Sequence, residues 1–216
     1  MSYNGKHIAD IRKDYQLAVL DEQATGDDPF AFFHKWFNEA VEAKADEVNA
    51  MTLATSSATG KPHARIVLLK GLDDKGFVFF TNYHSDKGKD IQENPNVSIV
   101  FFWKELERQV CIEGIAQRVS AEESDTYFHS RPVGSQLGAW SSPQSHVITT
   151  RDILEQNYQR YEKEFANNIP RPEHWGGYRI IPQSIEFWQG RSNRMHDRIL
   201  FTLSDANKWT KARLAP

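Results

Sequence analysis

Between Met51 and Val119 the chain carries five apolar, β-rich runs: MTLATS, ARIVLLK, GFVFFTN, VSIVFFW and RQVCIEGIAQRV. Runs rich in β-branched and aromatic residues, each bounded by turn-forming or polar stretches, specify strands. The connections are TGKP, DDKG, a polar segment with helical character from about Ser85 to Glu93, and KEL. Links this short join neighbouring strands antiparallel, because a parallel crossover needs a dozen or more residues. Successive antiparallel strands of this kind predict a closed or nearly closed barrel. The expected class is therefore β-rich α+β, mostly antiparallel, with helices packed outside.

The flanking segments fit that expectation. Asp28 and Pro29 supply a cap and a first-turn proline, and Phe33, Trp36, Phe37, Ala40, Val41 and Lys44 follow at helical spacing. Core packing explains their aromatic face without a cofactor. Ser120 and Glu123 form a capping box opening a helix to about Ser130. RPVGSQLGAWSSPQS reads as a loop, and a second helix runs from Thr150 to about Phe165. After the turn-rich IPRPEHWGG, the segments YRIIP, SIEFWQG, RILFTL and WTKARLAP read as returning strands. Residues 1–20 are polar, with Ile8, Ile11, Tyr15 and Leu17 near helical spacing, and read as a short helix or an arm that orders on docking. Residues 21–216 read as one domain, since no Gly/Ser-rich or Pro-rich linker divides them.

Charge narrows the partners. With 26 basic and 29 acidic residues among 216, the net charge of −3 leaves no electrostatic footprint for nucleic acid. Any bound phosphate should belong to a small ligand held by a local basic cluster. The single cysteine, Cys111, excludes an internal disulfide, fits a reducing compartment and reads as an inert core residue. No stretch resembles a signal peptide or approaches a membrane span, so the expectation is a cytoplasmic protein with no membrane partner.

Four segments concentrate polar chemistry. In ARIVLLKG, Arg65 and Lys70 bracket the run Ile66 to Leu69, which reads as a buried core strand. Either an anion meets these cations or both snorkel to solvent. Five residues apart on a regular strand, they should point to opposite faces. FTNYHSDKGKD sets Thr81, Ser85, Lys87 and Lys89 at a strand-to-helix junction, which is either an anion cradle or a solvated helix start. YFHSRPVGSQ spaces Tyr127, Arg131 and Ser135 at four-residue intervals, as a phosphate clamp or as ordinary surface. GRSNRMHDRIL places Arg194, His196 and Arg198 on one face by strand alternation, with Asp197 on the other. Such a row of cationic or titratable groups needs an anion or an electron-rich ring among them.

Together these segments, with LERQV, SPQS, WGGYR, IEFWQG and the terminal RLAP, resemble the pyridoxamine (pyridoxine) 5′-phosphate oxidase family from about Ile11 to Pro216. The resemblance implies an FMN-binding split β-barrel working as a homodimer, with the flavin sites at the subunit interface. Its activity is oxidation of pyridoxamine 5′-phosphate and pyridoxine 5′-phosphate to pyridoxal 5′-phosphate, with O2 giving H2O2, and no metal is implied. Carried over by position, the flavin contacts are Arg65, Ile66, Val67, Leu68, Leu69, Lys70, Phe80, Thr81, Asp86, Lys87, Gln109, Gln144, Ser145, Trp188 and Arg198. Lys70, Tyr127, Arg131 and Ser135 take the substrate phosphate. Arg194, Met195 and His196 meet the pyridine ring, with Arg194 and His196 catalytic, and Arg12, Lys13, Asp14 and Tyr15 close over the site as a mobile lid. On this view the two faces of the Arg65–Lys70 strand serve the flavin phosphate and the substrate phosphate separately. Asp86 departs from the basic residue many members carry, and a carboxylate there weakens anion binding unless aimed at solvent. Two rivals remain: a split-barrel flavoprotein of other specificity, and an oligonucleotide-binding barrel using Phe79, Phe80, Phe101, Phe102 and Trp103.

Overall fold

The computed structural model describes residues 2–3, 6–166 and 168–216. The helices are α1 (Pro29–Glu42), α2 (Asp86–Glu93), α3 (Ala121–Ser130), α4 (Val133–Ser141) and α5 (Asp152–Phe165). The main strands are β1 (Ala50–Ser56), β2 (Pro62–Leu68), β3 (Gly71–Asp73), β4 (Gly76–Asn82), β5 (Asn96–Trp103), β6 (Arg108–Arg118), β7 (Trp175–Gln189), β8 (Asp197–Leu203) and β9 (Trp209–Leu214). They are hydrogen-bonded in the order β9-β8-β7-β6-β5-β1-β2, with β4 also pairing β7 and β3 pairing β4. The described ladders are antiparallel, meeting the β-rich α+β split-barrel expectation. The chain divides into two compact units, one formed by the residues up to Val48 with Val100–Ile112 and Ser184–Pro216, the other by Asn49–Ile99 and Glu113–Gln183.

In the first unit, the Asp28 carboxylate caps α1 by accepting the Phe30 N–H at 2.9 Å, and Pro29 opens the helix. Its inward face buries Phe32, Phe33, Trp36 and Ala40. Phe33 meets Phe101 edge-on at 5.1 Å, and Phe32 and Trp36 meet Phe187 at 4.7 and 5.3 Å. The aromatic stripe is thus core, as its periodicity implies. Ile8, Ile11 and Leu17 are exposed, so the arm forms no buried helical face, and Ile8–Asp10 makes only a single 3-10 turn.

In the second unit, β1 and β2 pair from Ala50↔Leu68 to Ser56↔Pro62. β2 is the last strand of the order and its burial alternates, leaving Ile66 64% exposed. The apolar run Ile66–Leu69 is therefore not a core strand. The alternation leaves one face of β2 open and the other half-covered, and composition cannot distinguish that from burial on both faces.

The segment expected as a loop, RPVGSQLGAWSSPQS, contains α4. Glycines at 134 and 138 lower its intrinsic propensity, but Leu137 is buried against Phe128, Ile169 and Trp175. Trp140 packs on Tyr161 and Phe165 of α5, at 5.3 and 4.9 Å. The capping box at α3 is half realised. Ser120 Oγ accepts the Glu123 N–H at 3.0 Å, whereas the Glu123 carboxylate takes Arg179 at 3.1 Å instead. Among the described residues no helix is long and apolar enough to cross a membrane.

Asp73, Asp90, Glu107 and Asp197 are all held below the ordinary carboxylate range. Burial pushes each upward, and hydrogen bonds from amides, hydroxyls and cationic side chains outweigh it. Folding therefore lowers their pKa values, so they stabilise the native state above the unfolded range and lose that effect as pH falls through about 4. Thermal melts should hold a level midpoint near neutrality and drop steeply below about pH 5. Asp197→Asn should lower the midpoint at pH 7 and flatten the acid limb.

Candidate active site

The second unit contains a cavity of about 510 Å³ into which several of the expected residues converge. Arg65 stands on β2 with its guanidinium held by two hydrogen-bond acceptors and a nearby carboxylate. Nη1 donates to Thr55 Oγ1 at 2.7 Å and to the Leu53 carbonyl at 3.2 Å, and Nη2 lies 3.8 Å from Asp90 Oδ2. Asp90, buried on α2, also accepts the Thr55 hydroxyl at 2.6 Å and meets His63 Nδ1 at 2.9 Å. Desolvation pulls the Arg65 pKa down and Asp90 opposes it. Strand, helix and carboxylate thus hold one cation in one orientation before any ligand arrives.

Lys70 lines the same cavity, together with Ile66, Val67 and Leu68. Separation of Arg65 and Lys70 to opposite faces fails because β2 ends at Leu68, and alternation ends with it. Leu69 turns inward and is buried, its N–H donating to the Asn49 carbonyl at 2.8 Å. It does not line the cavity.

At the β4–α2 junction, Ser85 caps the helix and Lys87 Nζ reaches both Ser85 Oγ and Gln144 Oε1 at 3.3 Å. Thr81 donates to the same Gln144 oxygen at 3.3 Å. Gly88 permits this, since a Cβ there would sit 2.2 Å from the Tyr83 carbonyl oxygen. Desolvation first, then repulsion by Arg65, lowers the Lys87 pKa, with Asp86 acting against both. Asp86 is exposed in the first helical turn and Ser145 is exposed with φ +68, and neither lines the cavity.

Tyr127, Arg131 and Ser135 come from α3, its C-cap and α4, and all three line the cavity. Tyr127 stacks on Phe80 with centroids 4.0 Å apart, and Phe80 stacks on Trp175 at 5.5 Å. Arg131 lies over Trp175 at 4.6 Å, and its Nη1 is buried with no hydrogen-bond partner. Desolvation lowers its pKa. A buried guanidinium nitrogen without an acceptor is a costly arrangement for a protein to keep unless an anion completes it.

The remaining expected residues lie in the first unit. Arg12, Lys13, Asp14, Tyr15, Arg194 and His196 line a second cavity of about 570 Å³. Tyr15 is edge-on to Trp188 at 5.8 Å and to His196 at 6.1 Å, and Trp188 and His196 are 4.6 Å apart. The Arg191 N–H points at His196 Nδ1, 3.1 Å away, so Nδ1 is the acceptor and the neutral ring carries its proton on Nε2. Strand alternation does not apply to Arg194 and His196. Asn193 and Arg194 are both left-handed, φ +55 and +61, and β8 begins only at Asp197. Met195 is exposed. Arg198 is held bidentately by Glu186 at 2.8 and 2.9 Å and donates to the Ala215 carbonyl, so its guanidinium is engaged away from both cavities. Gln109 Nε2 reaches Cys111 Sγ at 3.2 Å; Cys111 is half-buried rather than a core residue.

The 510 Å³ cavity presents Arg65, Lys70, Lys87 and Arg131 and no carboxylate, between aliphatic and stacked aromatic walls. It suits a planar, phosphorylated ligand. No group of three His, Cys, Asp or Glu side chains is placed to hold a metal among the described residues. Phe79, Phe101 and Trp103 are buried, so a row of exposed rings for stacking oligonucleotide bases is not formed. Sequence reasoning missed Asp90, Thr55 and His63; the only signal was a carboxylate beside the apolar Ile91 in a polar helix.

Residues 37–164 match the family model described as pyridoxamine 5′-phosphate oxidase, and residues 175–216 match that of the pyridoxine 5′-phosphate oxidase C-terminal dimerisation region. A pyridoxine/pyridoxamine 5′-phosphate oxidase of Paraburkholderia phymatum is 54% identical over 209 residues, covering 97% of this chain and 99% of that one. One from Nostoc sp. is 55% identical over 210 residues, covering 97% and 98%. Among solved structures, PhzG of Burkholderia lata, in complex with tetrahydrophenazine-1-carboxylic acid, superposes with a TM-score of 0.86 at 28% identity, over 93% of this chain and 100% of that one. An FMN-binding protein of Nostoc punctiforme, at 16% identity and a TM-score of 0.69 over 85% and 97% of the two chains, shares the fold.

Replacing Arg131 with Met removes a partly desolvated charge whose Nη1 has no hydrogen-bond partner, while keeping much of the side-chain length. The ligand-free variant should melt no lower than the parent, and added inorganic phosphate should raise the parent's midpoint but not the variant's. Melting curves with and without phosphate measure both effects.

Proposed function

The chain belongs to the pyridoxamine 5′-phosphate oxidase family, and on that premise we propose that it oxidises pyridoxamine 5′-phosphate and pyridoxine 5′-phosphate to pyridoxal 5′-phosphate with FMN as cofactor and O2 as electron acceptor. The observation that carries the reading is the buried Arg131 Nη1 without a partner, set beside Tyr127, Ser135 and Lys70 where a substrate phosphate would complete it. The lining of the cavity supports FMN as well as the substrate phosphate. Arg65 and Lys87 supply charge for the flavin phosphate, Thr81 and Gln144 supply hydrogen bonds, and the edge from Ile66 to Leu68 supplies backbone and apolar contact. FMN, when bound, supplies the two-electron acceptor that O2 regenerates.

The chain's own residues then bind and orient. Arg131, Tyr127, Ser135 and Lys70 hold the substrate phosphate, the bidentate guanidinium fixing direction as well as charge. Arg194 carries positive charge to the pyridine ring and its 4′ substituent. His196, with Nδ1 accepting the Arg191 N–H, has Nε2 left to orient the ring. For the alcohol, substrate and O2 give aldehyde and H2O2. For the amine, a water is also consumed and ammonia released. The C-terminal dimerisation match supports a homodimer with the flavin sites at the subunit interface, since residues 175–216 include Trp188, Arg194, Met195, His196 and Arg198. The likeness to PhzG, solved in complex with tetrahydrophenazine-1-carboxylic acid, supports a second reading, a site that binds a fused-ring carboxylic acid. The Tyr127–Arg131–Ser135 cluster favours a phosphate instead.

Purified protein should be yellow, release FMN on denaturation, and form one H2O2 per pyridoxal 5′-phosphate from either phosphorylated vitamer. Absence of flavin, or equal turnover of unphosphorylated pyridoxamine, would sink the assignment. Arg194→Met should cut kcat/KM by about a hundredfold with FMN binding retained, and Arg131→Met should act mainly through KM for the phosphorylated substrate.

A further inference from the structure

A buried carboxylate that lines neither cavity grips the N-terminal arm. Glu107, in the turn between β5 and β6, is 3% exposed and takes the left-handed φ of +55. Its Oε2 accepts the main-chain N–H groups of Gln16 at 2.9 Å and Leu17 at 3.1 Å, and its Oε1 meets Lys13 Nζ at 3.2 Å. Its own carbonyl accepts the Gly190 N–H at 2.8 Å and the Gln189 side-chain amide at 3.2 Å. One residue therefore ties the arm to the end of β7, the strand that carries Trp188. The arm's other contact is a seat of bare backbone. A Cβ on Gly190 would lie 2.7 Å from Cγ of Tyr15, so the ring rests where only glycine leaves room. From that seat Tyr15 faces Trp188 and His196, and Arg12 to Tyr15 form one wall of the cavity that Arg194 and His196 line from the other side.

We propose that Glu107 is the positioning residue that latches the arm in its closed position, so that Arg12 and Tyr15 form a wall of the Arg194–His196 cavity. The role assumed for that cavity rests on the oxidase reading above. If the arm lifts away, the carboxylate loses both amide donors and its Lys13 ion pair, the contacts that balance the burial of its charge while the arm is seated. Lys13 is largely exposed, so its ion pair adds little and the grip is chiefly on the main chain. That choice makes the latch indifferent to the arm's side chains, leaving Arg12 and Tyr15 free to serve the cavity. The carboxyl is held below its usual range because the amides of Leu17 and Gln16 and the Lys13 ammonium outweigh the upward push of burial, so it stays ionised and gripping at neutral pH.

The test uses the full-length protein with its flavin bound, and three variants: Glu107→Ala, Glu107→Gln and Gly190→Ala. Trypsin cleavage after Arg12 and Lys13, without substrate, reads the open population of the arm directly. The parent should be cut slowly and Glu107→Ala about tenfold faster. Glu107→Gln, which keeps an acceptor oxygen, should fall between them. Gly190→Ala, which leaves Glu107 untouched and crowds Tyr15 off its seat, should also speed cleavage, and it keeps the test decisive if Glu107→Ala does not fold. In the same variants KM for the phosphorylated vitamer should rise about tenfold with the dissociation constant for FMN unchanged. Cleavage at the parent rate in folded variants overturns the latch. Faster cleavage with unchanged KM overturns the positioning role while the oxidase reading stands. Failure of the parent to oxidise either vitamer overturns that reading, and the cleavage rates still decide the latch.

Discussion

Two guanidinium groups in one cavity are treated in opposite ways, and the chemistry of the site depends on the contrast. Arg65 is held in place by protein, donating from Nη1 to Thr55 and Leu53 and facing Asp90. Arg131 is desolvated and pressed on Trp175, with one nitrogen left without an acceptor. The first is pre-oriented, so a ligand need not organise it. The second is unsatisfied, so a ligand that supplies an anionic oxygen gains the full worth of a buried charge-assisted hydrogen bond. A cavity holding one of each can fix two charged groups without rearranging.

The scaffold makes that contrast by putting each cation on a different kind of element. Arg65 rides an edge strand whose pairing with β1 brings Thr55 and Leu53 beside it, while α2 delivers Asp90. Arg131 sits at the cap between α3 and α4, where Phe128 and Leu137 bury the two helices against Trp175. The stack of Trp175, Phe80 and Tyr127 joins these elements and supplies a flat wall. Removing water from such a wall strengthens each electrostatic contact made at its edge.

In the first unit a different economy holds. Charged groups there are mostly paired: Arg198 with Glu186, Arg108 with Glu39, and Asp197 with Arg191 and Arg213. Asp197 also takes the Leu20 N–H, so the C-terminal strands and the arm's end share one carboxylate. Exposed Arg194 stands apart from these pairs on two consecutive left-handed residues, a backbone that costs free energy and persists where the surroundings impose it.

The sequence by itself determined the strands, the caps of α1 and α3, and the residue types of the cavity, because alternation, aromatic spacing and capping chemistry are local and legible within a few residues. It named Arg65, Lys70, Lys87, Tyr127, Arg131 and Ser135, which do converge on one cavity. It misread Ile66–Leu69 as core, RPVGSQLGAW as loop and Arg194–His196 as strand. The first two errors turned on distant partners, the place of β2 at the end of the sheet order and the α5 face that buries α4, and the third on the left-handed turn at Asn193 and Arg194. Only the tertiary structure could decide which cations are satisfied. Whether a guanidinium meets Asp90, Glu186 or no acceptor is set by how other elements pack beside it. A side chain's identity is written in the chain, while its electrostatic surroundings exist only after the chain has folded.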